Sequence, residues 1–95
     1  MVLIEVTEAE ARTRVLMAPV PDRDRTSDTI IKAAFRACYS YAMTPDRIME
    51  IGGAIVGIQN QGTGDDLKKI LSAMVRAGLL RSRKAEGVRL YEVNY

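Results

Sequence analysis

The chain has no histidine, no tryptophan, one cysteine and one phenylalanine. Each scarcity removes a class of function. Without histidine there is no Ser-His-Asp or Cys-His nucleophile and no His-containing zinc site. Cys38 stands alone, so no internal disulfide forms. Nothing is present to activate its thiol, which reads as an inert member of an apolar helix face. One phenylalanine and four scattered tyrosines do not make an RNA-stacking surface. No apolar run approaches the ~20 residues that span a bilayer. Met1 to Val6 carries Glu5 and no basic flank, and is too short for the core of a signal peptide. A cytoplasmic protein without membrane association is the expectation.

Glycine-based phosphate motifs are also lacking. Gly52 to Gly57 has the outer glycines of a P-loop, but Ile58 and Gln59 stand where lysine and serine or threonine are required. Gly62-Thr63-Gly64 before a helix would offer N–H groups to an anion, yet Asp65 and Asp66 occupy the same place and repel one. They are better explained as helix-start carboxylates. Gly64-Asp65-Asp66 is similar to the metal-binding carboxylates of polymerases, but 95 residues leave no palm domain to hold them. The expectation is a non-enzyme with no catalytic residues, no metal and no cofactor.

What is present suits one domain over 1–95. Apolar residues make up 47% of the chain, which argues against overall disorder. Residues 1–18 form an N-terminal addition, 19–26 a connection, and 27–95 the core. Val2 to Val6 is a β-branched, apolar run that predicts a strand. Thr7 and Glu10 make a capping box for a helix over 8–17, with Ala11, Val15 and Ala18 inward. The rival is a second strand over 13–17. This addition would serve as a packing cover or a dimer contact. Pro19 and Pro21, with alternating Asp and Arg, mark the connection.

Thr26 or Ser27 is expected to cap a helix over 28–42, buried through Ile31, Ala34, Phe35, Cys38 and Ala42, with Tyr39 and Tyr41 flanking. Thr44-Pro45 starts the next helix. Its predicted face is Ile48, Ile51, Ile55 and Ile58. Gly52 and Gly53 either permit a close helix crossing or break the helix. Residues 59–64 read as a polar turn, with Thr63 capping the helix that follows.

The last third is the most informative. Leu67, Ile70, Leu71, Met74 and Val75 recur at helical spacing, while Asp65, Asp66, Lys68, Lys69, Ser72 and Arg76 fall opposite. Gly78 stops this helix. Leu79 and Leu80 open an extended run, Lys84-Ala85-Glu86-Gly87 reads as a turn, and Val88 to Val93 as a returning strand. Residues 63–89 hold seven basic and three acidic side chains, against seven and nine in the rest. A basic end on a near-neutral body is either a nucleic-acid footprint or an ordinary solvated face.

The run from Met74 to Arg81, passing into a basic hairpin that closes on Gly87-Val88-Arg89-Leu90-Tyr91, resembles the third helix and wing of winged helix-turn-helix domains. The resemblance covers about a third of the chain and reaches the class, not a subfamily. It implies an α+β fold with a three-helix core, a C-terminal β-hairpin wing and an N-terminal strand and helix added. It also implies a transcription regulator that binds double-stranded DNA as a homodimer. The recognition helix would be 65–77 and the wing 81–89. Lys68, Lys69, Ser72 and Arg76 would face the groove, with Lys69 and Ser72 nearest the bases. Arg81, Arg83, Lys84 and Arg89 would hold phosphates. Asp65 and Asp66 at the helix start oppose this reading. The alternative is a protein-interaction module or small phage- or plasmid-type inhibitor on the same fold.

Overall fold

The computed structural model describes residues 7–19, 25–38, 41–57 and 64–94, with the side chains of Arg25 and Asp65 excepted. Four helices precede a two-stranded hairpin: α1 Glu8–Leu16, α2 Arg25–Ala37, α3 Pro45–Val56, α4 Gly64–Arg76, β1 Leu80–Ala85 and β2 Val88–Val93. The fold is α+β. The strand expected over 2–6 lies outside the described residues, as do most of the 59–64 turn and the Thr63 cap.

The first helix starts where its capping box predicts. Thr7 Oγ1 accepts the Glu10 N–H at 3.1 Å, satisfying one of the donors orphaned at a helix start. Residues 13–16 belong to this helix, so the rival strand is excluded. Ala11 and Val15 are buried in the same core as the later helices, which makes α1 part of the packed body.

Helix α2 differs from expectation at both ends. It begins at Arg25, so Thr26 and Ser27 lie inside it instead of capping it. It ends at Ala37, five residues early, leaving Ala42 and the exposed Tyr41 beyond it. Further on, Met43 donates its N–H to the Tyr91 carbonyl at 2.9 Å and accepts the Tyr91 N–H at 2.8 Å. That pairing puts extended backbone at Met43, next to the residues where the longer helix was expected. The buried stripe contains Ile31, Ala34 and Phe35 as predicted, adds Ile30, and leaves Cys38 partly covered.

Early in α2, Asp28 is 2% exposed. Lys32, one turn on, reaches its Oδ2 at 3.0 Å and also donates to the Ala18 carbonyl at 2.6 Å. One ammonium therefore compensates a buried carboxylate and ties the end of the N-terminal addition to the core.

Helix α3 begins at a threonine cap, Thr44 Oγ1 accepting the Arg47 N–H at 3.1 Å, with Pro45 in the first turn. It stops at Gly57, whose φ of 74° is left-handed. The buried face is Ile48, Met49, Gly52 and Gly53, with Ile51 only partly covered. Ile55 is 56% exposed, and Ile58 lies outside the described residues, so the all-isoleucine face does not form. Gly52 explains the rotation. A Cβ built there would lie 2.0 Å from the Ile30 carbonyl oxygen, so the α2 and α3 backbones meet at the glycine. The glycines mark a close crossing and the helix continues through them.

Helix α4 buries Leu67, Leu71 and Met74, with Ile70 and Val75 at the margins. It ends in a Schellman arrangement: the Gly78 N–H bonds the Val75 carbonyl at 3.0 Å, and the Leu79 N–H bonds that of Met74 at 2.9 Å. The chain then enters β1. The hairpin pairs Leu80 with Val93 and continues in register to Ala85 with Val88. The turn is two residues, Glu86 and Gly87, not the expected four. Their φ values of 52° and 79° are both positive, as a type I′ turn requires. Leu80, Tyr91 and Val93 close the core beneath the helices.

Candidate functional site

Helix α4 packs its apolar stripe inward, so Asp66, Lys68, Lys69, Ser72, Ala73 and Arg76 are exposed on its outer side. They include the four predicted groove-facing positions, Lys68, Lys69, Ser72 and Arg76. The structure divides them between two edges. Lys69 borders an apolar groove with Ala73, Ala77, Ile70 and the Ala18-Pro19 end of the N-terminal addition. Ser72 and Arg76 instead border the hairpin, in a cleft completed by Val75, Ser82, Arg89 and Tyr91. The two residues expected nearest the bases, Lys69 and Ser72, thus line different depressions.

Strand alternation divides the hairpin as well. On one face lie the cross-strand pairs Leu80–Val93, Ser82–Tyr91 and Lys84–Arg89; on the other lie Arg81–Glu92, Arg83–Leu90 and Ala85–Val88. The first face meets the core and α4. There Arg89 Nη1 donates to Ser82 Oγ at 2.9 Å. The second face carries its own counter-charge. Glu92 Oε1 accepts from Arg81 Nε at 2.9 Å and lies 3.5 Å from Arg83 Nε. One carboxylate shared between two guanidiniums leaves that face with about one surplus positive charge.

The eight predicted contact residues do not act alike. Arg81 and Arg83 are held by Glu92. Among the described residues no carboxylate lies within ion-pair distance of Lys68, Lys69, Arg76, Lys84 or Arg89. Among the described residues these five cations thus form no ion pair, while the exposed Asp66 shares the outer side of α4 with Lys68 and Lys69. No protein-family model matches the chain, and no curated protein or solved structure is significantly similar to it.

Three participants were not among the predicted contact residues: Ser82, Tyr91 and Glu92. Their signal was present in the turn. Glu86-Gly87 taken as a two-residue I′ turn sets Ser82 opposite Tyr91 and Arg81 opposite Glu92, whereas a four-residue turn shifts every pair. Among the described residues no group of three or more Cys, Asp or Glu is placed to hold a metal ion. No helix there is long and apolar enough to cross a membrane.

Proposed function

We propose that this chain is a winged-helix, duplex-DNA-binding regulator without catalytic activity, presenting α4 to the groove and the hairpin to the backbone. The observation that carries the reading is the positive charge of Lys68 and Arg76 on exposed α4 and of Lys84 and Arg89 on the inner hairpin face, none of them in an ion pair among the described residues. Lys69, on the far edge of α4, extends that charge. Such a surface takes polyanions, and its affinity comes from releasing counterions. Two features support duplex recognition in particular. The α4 helix is solvent-exposed along one side and suited to the width of a major groove. The hairpin leaves α4 directly through Gly78 and borders it across the cleft lined by Ser72, Arg76, Ser82 and Arg89, so one ligand can meet both.

A homodimer on a two-fold symmetric site belongs to the same proposal, since a domain this small reads few base pairs. The test is fluorescence anisotropy with a short labelled duplex at low and moderate salt. Binding at low salt that weakens steeply with salt is expected, each phosphate contact adding about 0.9 to the log–log slope. No binding at low salt would overturn the reading.

The second reading is a protein-docking module. It draws support from the outer hairpin face, where Arg81 and Arg83 share Glu92 beside the 47%-exposed Val88. Partly compensated surfaces with an apolar edge suit protein contacts better than phosphates.

A further inference from the structure

The cleft between α4 and the hairpin has properties that a general basic surface does not. It is open, of about 260 Å³, and lined by Ser72, Arg76, Ser82, Arg89 and Tyr91 around Val75. Two arginines and two serines line it, Ser72 and Arg76 from α4 and Ser82 and Arg89 from the two strands of the hairpin. Every charged group lining it is cationic.

The hairpin shows a second, independent sign. Lys84 and Arg89 are directly cross-strand on this same face. Like charges opposed in a strand pair are destabilising. The chain holds an acid in the same hairpin, Glu92, but places it on the other face, against Arg81 and Arg83. Compensation is thus built into the outer face and withheld from the inner one. An anion seated between the inner face and α4 relieves the Lys84–Arg89 repulsion and gives Arg76 a partner. Arg89 is already oriented by its bond to Ser82, at 2.9 Å, and keeps further N–H donors for a ligand.

We infer that this cleft is a tetrahedral-oxyanion niche that seats one phosphate of a duplex backbone, gripped by Arg76 and Arg89 and hydrogen-bonded by Ser72 and Ser82. The source of the phosphate rests on the DNA-binding reading; the niche itself does not. Guanidinium forks match phosphate oxygens bidentately, and serine hydroxyls supply the remaining donors. The outer arginines, tied to Glu92, add general attraction only.

The experiment compares two charge-matched double variants of the full chain, R76Q/R89Q in the niche and R81Q/R83Q on the outer face. Both lose two positive charges, so any effect of net charge is equal. Low-salt duplex affinity is expected to fall at least about tenfold further for the niche pair, whose log–log salt slope should drop by about one. Equal losses from the two pairs would overturn the niche. S82A serves as the milder check, expected to weaken binding by a few-fold at most without altering the melting curve.

A second arm titrates inorganic phosphate into the wild-type protein, read by NMR. Shifts confined to Ser72, Arg76, Ser82 and Arg89, and abolished in R76Q/R89Q, are expected. If the wild type binds no duplex yet shows these shifts, the niche stands and the DNA reading falls. Phosphate shifts spread evenly over all basic residues would overturn the niche.

Discussion

Gly52 has no side chain because there is no space for one. Its missing Cβ would sit 2.0 Å from a backbone oxygen, the Ile30 carbonyl, which has no flexible end to move. Gly52→Ala must therefore push α3 away from α2, and overpacking of this kind costs about 2–3 kcal/mol. A fall in Tm of roughly 10 °C or more in a thermal melt followed by circular dichroism is expected. Glu86 is the opposite case. A glutamate with φ of 52° occupies a left-handed position that asparagine or glycine takes with less strain. Glu86→Asn would create the Asn-Gly pair favoured by type I′ turns and should raise stability by roughly 0.5–1 kcal/mol. An unchanged or lower Tm would show that the turn carries no such strain.

Between elements, the decisive link is Lys32. It bridges a carboxylate buried in α2 and the carbonyl that ends the N-terminal segment. Lys32→Met removes both partners at once and strands Asp28 without its counter-charge, at a cost of about 3 kcal/mol. Adding Asp28→Asn should recover part of that loss, and a double-mutant cycle on chemical denaturation measures the coupling. The caps are simpler: Thr44→Ala should cost α3 about 1 kcal/mol. These local features were legible in the sequence. Thr7, Thr44-Pro45 and Gly78 act within a few residues of themselves, and the structure places α1, α3, α4 and β2 within a residue or so of where those signals put them. The end of α2 was not legible. Nor was the bridge beyond it, where Met43 pairs with Tyr91, remote in the chain. The orientation of α3 was hidden for a related reason: a periodicity search weighs isoleucines and overlooks a glycine that is buried because it is small.

For the molecule as a whole, the distribution of charge matters more than its sum of +2. Lysines and arginines were readable as a basic C-terminal third, and α4 does expose Lys68, Lys69, Ser72 and Arg76 together. The division into a compensated outer face and an uncompensated cleft was not readable, because it follows from strand register and from Glu92, just past the basic stretch. At this scale the proposal predicts that a two-fold symmetric duplex doubles the number of protein copies per DNA relative to a half-site. Light scattering with and without duplex reports it; one copy on the symmetric site would remove the dimer from the proposal.

The bridge between Met43 and Tyr91 joins the segment before α3 to the last strand by two backbone hydrogen bonds. Contacts so remote along the chain form late, after a costly loop closure, and place the hairpin within the cooperative folding unit. The amide protons of Met43 and Tyr91 should then exchange with solvent only through global opening, as slowly as those of Leu71 and Phe35. A hairpin that exchanged early, on its own, would be a separate foldon and a far less rigid flank for α4.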